Sequence, residues 1–237
     1  LTRLREKLEL LSDLPLDRVL CARFNQTFAN LTASEFIERI LLQGLDVRMV
    51  SVGDDFRFGH HAQGNFALLE QYGARYGFSV IRHDTYCHNG ERVSSSRIRS
   101  ALADGNLLLA ASLLGRPYQL SGRVCYGNQL GRTIGFPTAN IPLHRRVAPL
   151  AGVFAVWVYG LDARPWPGVA NIGSRPTING QDTRLEVHLF DFNRQIYGQH
   201  LRVEFVQRLR PEQRFPSFDA LRAQIVQDSV HARTVLN

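Results

Sequence analysis

Two short stretches carry residue types that could handle a phosphate and a metal ion. The first is GRTIGFPTANI (131–141), a glycine-rich turn containing Arg132, followed by Thr138 and Asn140 two residues apart. Glycine N–H groups can approach an anion closely, and an arginine can neutralise it. In a strand, residues i and i+2 face one side, so this pair would present a hydroxyl and an amide oxygen together. Such neutral oxygens suit Mg²⁺ bound to a nucleotide, although turn and edge-strand residues that hydrogen-bond the backbone remain the alternative.

The second stretch, RLEVHLFDF (184–192), alternates polar and apolar residues as a strand does. Glu186 and His188 share one face, and the leucines and valine between them share the other. A carboxylate in mid-strand would cost roughly several kcal/mol if it were buried without a partner. Glu186 is therefore exposed, paired or functional, and a functional glutamate could deprotonate an alcohol that attacks a phosphate. A solvated outer face remains the alternative, and His188 by itself indicates a structural role.

The first half of the chain alternates helical and strand-like patterns. A capping box, Thr32 with Glu35, begins one helix, and Gly44 ends it. Helix–strand alternation predicts an α/β domain with a parallel sheet. The predicted helices are 1–12, 31–44, 65–77, 94–105 and 106–115, and the predicted strands are 17–24, 47–53 and 78–81.

From about residue 118 the pattern changes to short β-rich runs separated by Gly, Pro and Asn turns. This predicts an antiparallel barrel or sandwich, followed by an amphipathic helix at about 217–232. The GRPY segment (115–118) breaks the last helix of the first half. We therefore predict an α/β domain over 1–115 and a β domain over 116–237.

Composition excludes several classes of protein. No run approaches the roughly 18 apolar residues that a membrane span needs. Lys7 is the single lysine among 28 basic residues, so no Walker-type phosphate loop ending in lysine exists. The net charge of +7 favours an anionic partner, either nucleic acid, a nucleotide or a phosphorylated metabolite.

The three cysteines, Cys21, Cys87 and Cys125, are far apart in the sequence. Their spacing matches neither a zinc knuckle nor a disulfide framework. A reducing, cytoplasmic location fits this usage best.

The second half resembles riboflavin kinases. The resemblance rests on GRVCYGNQLGRTIGFPTANI, GVANIGSRPT, LEVHLFDF and YGQHLRVEF, which follow one another in that family's order. The first half is similar to the adenylyltransferase module of bacterial bifunctional riboflavin kinase/FAD synthetases, through VGDDFRFG (52–59) and VSSSRIR (93–99). The implied fold is a Rossmann-like nucleotidyltransferase domain, then a kinase β-barrel and a C-terminal helix. The implied reaction is ATP-dependent phosphorylation of riboflavin to FMN, with Mg²⁺.

The resemblance also implies roles for residues of the kinase half. Thr138 and Asn140 correspond to the Mg–ATP ligands, and Glu186 corresponds to the base that takes the proton from the riboflavin 5′-hydroxyl. The nucleotide-holding loop corresponds to Gly127, Gly131, Arg132, Gly135, Phe136 and Pro137.

Flavin contacts are implied for Asn171 and Arg175, which follow the nucleotide loop in the sequence. The segment 208–228 resembles the region that closes over the flavin, without indicating single contacts.

In the first half, the resemblance marks Gly53, Asp54, Phe56 and Phe58 in the loop after a strand, and Ser94, Ser95, Ser96 and Arg97 at a helix start. Hydroxyls and N–H groups at a helix N-terminus suit phosphate binding. The two phenylalanines could pack beside the isoalloxazine ring or anchor the loop under the sheet.

That family's adenylyltransferase module opens with a loop of the form G-x-F-D-x-x-H-x-G-H, which this sequence does not contain. The expectation is a polypeptide that makes FMN but no FAD. We also expect exposed apolar surface on its α/β part.

Two alternatives belong to other classes: a basic β-barrel that binds nucleic acid, and a flavin-binding protein without catalysis. The enzyme hypothesis predicts riboflavin, FMN and ATP as partners, with neither nucleic acid nor a membrane. A homo-oligomer is left open.

Overall fold

A computed structural model describes residues 1–127, 131, 135–145, 147–177 and 180–237, and for 174–177 and 180–182 it describes only strand backbone. The chain forms two compact units. One comprises Leu1–Leu14 with Ser94–Asn237, and the other comprises Pro15–Val93.

The smaller unit is built around two parallel strands, β1 (Met49–Gly53) and β2 (Ser79–His83), paired from Met49 with Ser79 to Gly53 with His83. Its other elements are α2 (Gln26–Ala29), α3 (Ala33–Glu35) continuing as a π-helix (Phe36–Gly44), a 3₁₀ turn (His60–Ala62), α4 (Phe66–Tyr76) and the short strands β3 (Cys87–His88) and β4 (Glu91–Arg92).

Side-chain caps explain where the helices of this unit begin. The Thr32 hydroxyl accepts a hydrogen bond from the Glu35 N–H at 3.1 Å, and the Glu35 carboxylate accepts one from the Thr32 N–H at 3.0 Å, as the capping box predicts. Asn65 caps α4 in the same way, accepting from the Leu68 N–H at 3.0 Å. These helices bury a small core against the sheet: Ala33, Ile37, Leu41, Phe58, Leu69 and Phe78.

The predicted strand at 17–24 is wrong. Within the described part of the chain this segment forms no regular element, and Val19, Leu20 and Phe24 are 46, 64 and 78% exposed. A strand is held by hydrogen bonds to a neighbouring strand, and β1 and β2 pair only with each other among the described strands. The exposed apolar surface expected on the α/β part is present at these residues.

The larger unit contains a nearly closed, six-stranded antiparallel barrel, which confirms the barrel prediction. The strand order is β5 (Gln119–Arg123), β10 (His200–Arg210), β7 (Gly152–Tyr159), β8 (Trp166–Thr177), β9 (Gly180–Leu189) and β6 (Ala139–Pro142). A bridge between Cys125 and Asn140 brings the two ends of this order together.

The described residues of the same unit include four helices: α1 (Leu4–Ser12), α5 (Ser95–Ala103), α6 (Leu107–Leu114) and α7 (Phe218–Leu236). The last packs on β7, β8 and β10. Among the described helices, none combines the length and apolar character that a bilayer crossing requires.

The two compact units do not coincide with a division at residue 115. Helix α1 lies with the barrel because Glu6 is buried there, accepting from the Ser121 N–H and pairing with Arg145. Periodicity and linker composition cannot reveal such a contact between residues more than a hundred positions apart.

Candidate active site

Three polar residues lie in register across neighbouring strands of the barrel. Asn140 in β6 pairs with Glu186 in β9, and Glu186 pairs with Asn171 in β8. Directly opposite residues face the same side of a sheet, with Cβ atoms about 4.5–5.5 Å apart. The apolar residues that alternate with Glu186 are buried, while Glu186 and His188 are half-buried. The strand ladder therefore places one carboxylate between two amides on one face.

A cavity of about 340 Å³ opens on this face. Of the sequence-predicted residues that the structure describes, five line it: Gly131, Phe136, Thr138, Asn171 and Glu186. The remaining lining combines aromatic and aliphatic side chains with a few charged ones, among them Val153, Val169, His188, Arg210, Glu212, Phe215, Phe218, Leu221, Ile225 and Asp228.

The glycine-rich turn approaches the site closely at two positions. A Cβ on Gly127 would lie 2.4 Å from the amide carbon of Asn140, and one on Gly131 would lie 2.3 Å from the Phe136 carbonyl oxygen. The Phe136 N–H also donates to the Gly131 carbonyl at 2.7 Å. Only glycine permits this packing. Gly135 has a positive φ of 86°, and Arg132 lies outside the described residues.

The predicted metal ligands offer neutral oxygens. The Asn140 amide nitrogen donates to the Thr138 carbonyl at 3.3 Å, which leaves Oδ1 for another partner. In the described residues, no three His, Cys, Asp or Glu side chains are arranged to hold a metal ion. A hydroxyl and an amide oxygen suit a hard cation whose other ligands are water and phosphate, so this donor set fits Mg²⁺ carried by a nucleotide.

A second cavity, of about 490 Å³, lies beside the same loop. Pro137, Thr138 and Ala139 line it together with Val187 and the segment 192–197. Because Val187 and Glu186 point to opposite faces of β9, the two cavities flank the strand. Among the described lining residues, Thr138 alone contributes to both.

Two charged residues of the first cavity were missed in the sequence. Arg210 in β10 donates to the Asp228 carboxylate in α7 at 2.8–3.0 Å, and Gln224 donates to the same carboxylate at 3.0 Å. The Arg210 guanidinium also lies 5.5 Å from the Phe215 ring centroid. Both partners fall within 208–228, but their spacing of 18 residues matches no local pattern.

His188 was interpreted as structural, and it contacts the loop before β6. Its Nδ1 donates to the Pro137 carbonyl at 2.9 Å. Burial of the ring lowers the pKa of His188 below 6.5, and Arg233 lowers it further, against the opposing effects of the Pro137 carbonyl and Asp191. The ring is therefore neutral near pH 7.

The predicted residues of the first half lie in both units. In the smaller unit, Gly53 ends β1, and Asp54 accepts hydrogen bonds from the Thr85 N–H at 3.1 Å and the Thr85 hydroxyl at 2.9 Å, which lower the pKa of Asp54. Phe58 is buried in the core with Phe56 stacked on it at 5.5 Å, so the anchoring alternative holds for Phe58. Asp54 lines an open depression of about 720 Å³ with Arg57, Asn65, Phe66, Ala67, Glu70, Arg82 and Asp84.

The serine cluster lies in the larger unit, at the start of α5. Ser94 caps the helix by accepting from the Arg97 N–H at 3.2 Å, while Ser95 and Ser96 are exposed. Arg175 lies in β8, but its side chain is outside the described part of the structure.

Comparison with known families matches both halves of the chain. Residues 1–97 match the FAD synthetase model, and residues 114–236 match the riboflavin kinase model.

Relatives cover nearly the whole chain. The bifunctional riboflavin kinase/FMN adenylyltransferase of Escherichia coli (strain K12) is 54% identical over 233 residues, covering 98% of this chain and 74% of that protein. Its counterpart from Haemophilus influenzae is 51% identical, covering 100% and 77%. The crystal structure of a chain named macrolide-efflux protein, from Streptococcus pneumoniae, superposes with a TM-score of 0.82 at 33% identity, covering 98% of this chain and 74% of that one.

These matches favour neither the nucleic-acid-binding barrel nor the non-catalytic flavin binder. The barrel and its terminal helix are those expected of a riboflavin kinase. With both domain models matched in succession and relatives above 50% identity, the chain belongs to the family of bifunctional riboflavin kinase/FMN adenylyltransferases.

Proposed function

We propose that Glu186, Thr138 and Asn140 carry out the kinase reaction of this family, the ATP-dependent phosphorylation of riboflavin to FMN. The observation that supports the assignment is the row Asn140–Glu186–Asn171 beside Thr138, together with the position of Thr138 in the lining of both cavities.

The cavity of about 340 Å³ suits the flavin. Its size lies within the range of about 300–1,000 Å³ that is typical of small-molecule sites. Phe136, Phe215 and Phe218 offer aromatic surface for a planar ring system, and the Asn171 amide offers both a donor and an acceptor. Arg175, which follows in the same strand, is proposed to contact the flavin as well.

The cavity of about 490 Å³ suits the nucleotide. It adjoins Pro137 and Thr138, at the end of the turn formed by Gly127, Gly131, Arg132 and Gly135. Phe136 belongs to the same loop and lines the flavin cavity, so the loop separates the two substrates. This arrangement brings the terminal phosphate to Thr138, next to the riboflavin hydroxyl at Glu186.

In this geometry, Glu186 takes the proton of the riboflavin 5′-hydroxyl while the 5′-oxygen forms a bond to the terminal phosphorus of ATP. The bond from that phosphorus to the bridging oxygen breaks, and ADP leaves. Mg²⁺ bound by Thr138 and Asn140 would draw charge from the phosphate oxygens. The fixed strands position the base, and positioning is most of what phosphoryl transfer asks of a protein.

Further assignments rest on the family membership. Gly53, Asp54 and Phe56 and the cluster Ser94–Arg97 are proposed to serve the FMN adenylyltransferase module, with Phe58 as their support. We propose a cytoplasmic enzyme with small-molecule partners and no nucleic-acid or membrane partner. We also propose that the two catalytic modules divide at 115/116.

Glu186→Gln tests the assignment of the base. General-base catalysis contributes about 10²–10⁴-fold, so we expect kcat for FMN formation to fall by about that factor. KM for riboflavin should change little because the substitution is nearly isosteric. Glu204→Gln is the matched control, since Glu204 is also in mid-strand, in β10, but lines neither cavity. A parent-like kcat in folded Glu186→Gln protein would remove Glu186 from the mechanism.

A further inference from the structure

His188 bridges the strand that carries Glu186 to the peptide that carries Thr138. Its ring is two residues beyond Glu186 in β9, on the same face. Its Nδ1 donates to the Pro137 carbonyl at 2.9 Å, and that carbonyl belongs to the peptide bond between Pro137 and Thr138. The side chain thus joins the proposed base and the proposed metal ligand through one hydrogen bond.

The strand ladder does not reach this peptide. Strand β6 begins at Ala139, which pairs with Val187, so Pro137 and Thr138 precede the first rung. Proline has no N–H to donate, and a strand cannot be extended through its nitrogen. The His188 side chain supplies the contact that a further rung would otherwise have made.

The surroundings of the ring favour one tautomer and one orientation. A carbonyl oxygen only accepts, so the proton must be on Nδ1. Phe136 and Phe190 contact the ring edge-to-face, with centroids 5.2 and 5.9 Å away. The charged groups nearby, Arg233 and Asp191, are bonded to each other at 2.8–2.9 Å. The ring is held on both sides, which restricts the direction of its N–H.

We propose that His188 is a positioning residue of the kinase reaction: it sets the distance between Thr138 and Glu186 by fixing the Pro137–Thr138 peptide against β9. The proposal rests on the proposed roles of Thr138 and Glu186. It predicts that loss of the Nδ1 donor impairs the use of Mg–ATP far more than the binding of riboflavin.

Two amide substitutions distinguish the effect of losing the Nδ1 donor from the effect of losing the bulk of the ring. His188→Asn places an amide N–H where Nδ1 lies, whereas His188→Gln places its amide where Nε2 lies. Leaving a hydrogen-bond acceptor without its donor typically changes the equilibrium constant of the process that needs the bond by about tenfold. We therefore expect kcat/KM for Mg–ATP to fall about tenfold in His188→Gln, with a raised Mg²⁺ requirement, and to stay near the parent value in His188→Asn.

Riboflavin affinity, measured by quenching of flavin fluorescence, should be similar in both variants. His231→Gln, on the exposed face of α7, is the control for loss of an imidazole. Equal effects of Asn and Gln at position 188, or equal losses of Mg–ATP use and riboflavin affinity, would mean that the ring only fills space, and would overturn the proposal.

A double-mutant cycle with Thr138→Ala separates failure of this inference from failure of the proposed function. If Thr138 is no ligand, Thr138→Ala alone has parent-like kinetics, and the proposed function fails. If Thr138 is a ligand positioned by His188, the effects of Thr138→Ala and His188→Gln are less than additive. Full additivity, with a clear effect of Thr138→Ala alone, contradicts only the positioning role.

Discussion

At the scale of residues, the candidate site combines two kinds of support. Asn140, Glu186 and Asn171 lie on paired strands, where the backbone ladder fixes the spacing between side chains. Thr138 precedes its strand and depends on a loop and on side-chain contacts. Groups on regular elements are held more precisely than groups on loops. The loop side of the site is therefore where substitutions of non-contacting residues should affect the reaction most.

Removal of either proposed metal ligand should weaken the use of Mg–ATP. Thr138→Ala and Asn140→Ala each delete one oxygen from a site that has no carboxylate among its proposed ligands. Even the outer partners of metal ligands are worth about 10–100-fold in affinity, so we expect the Mg²⁺ concentration for half-maximal rate to rise at least about tenfold. FMN formation over a Mg²⁺ titration measures this.

Thr234→Ala is the control for loss of a threonine hydroxyl, because Thr234 is exposed on α7 and bonds only within the helix. Circular dichroism should show an intact barrel in all three variants. Near-normal rates at low Mg²⁺ in both site variants would refute the ligand assignment.

Residue types and strand alternation marked Glu186 and Thr138 as candidates, because their chemistry and local spacing are readable in the sequence; their roles came from the family resemblance and stay predictions. They were not sufficient for Arg210 and Asp228, whose pairing depends on how α7 packs on β10. His188 was visible as a polar residue on the correct face, but its bond to Pro137 joins residues 51 positions apart. Contacts of this kind follow from the tertiary fold and leave no periodic signal.

At the scale of elements, two ion pairs between described residues join α7 to the barrel in different environments. Arg210 and Asp228 have side chains only 16 and 7% exposed. Arg233 and Asp191 form the other pair, with side chains 47 and 76% exposed. Removing one partner of a buried ion pair lowers the free energy of unfolding strongly, whereas solvent screens an exposed pair and its loss costs little.

Asp228→Ala should therefore destabilise the larger unit much more than Asp191→Ala. The first change leaves the Arg210 charge buried without its partner, which typically costs about 3–5 kcal/mol of unfolding free energy. The second should leave the stability nearly unchanged. Urea unfolding followed by circular dichroism compares the two, and equal stabilities would show that Asp228 is not the anchor of α7.

Capped helices and alternating strands were predicted well, because both signals are local. The capping box at Thr32 and the alternation around Glu186 are found in the structure. The strand at 17–24 failed because a strand also needs a partner, which its own residues cannot specify. The order of the barrel strands likewise depends on pairings between distant segments.

At the scale of the whole molecule, helix α1 is part of the larger unit. Glu6 in α1 is buried against Ser121 and Arg145, and the Glu9 carboxylate accepts from the Ser121 hydroxyl at 3.2 Å. His200 in β10 borders the same contact, with Nε2 3.8 Å from Glu9. Residues 1–14 thus match the FAD synthetase family model but lie in the same compact unit as the barrel.

This contact should make stability depend on pH. Burial lowers the pKa of His200 below 6.5, as do Arg5, Arg123 and Arg3, and these outweigh the opposing effect of Glu9. Below pH 6.5, the ordinary pKa of histidine, His200 then binds more protons in the unfolded chain than in the folded one. The stability of the fold therefore falls as the pH drops through 6.5. His188 acts in the same direction.

We expect His200→Gln to reduce the loss of stability between about pH 7.5 and about pH 5.5, since a glutamine does not titrate. Urea midpoints at both pH values, for the parent and the variant, measure the difference. An unchanged pH dependence in the variant would show that His200 takes no part in it.

The docking of α1 on the barrel also bears on the order in which the chain can fold during synthesis. Glu6 and Arg145 are 139 residues apart. A ribosome adding about 5–20 residues per second needs roughly 7–28 seconds to make that stretch, so the first helix waits for its partner. The continuous segment Pro15–Val93 is completed within this interval. The smaller unit can therefore fold first, while the larger one, begun earlier, closes only after Arg145 has emerged.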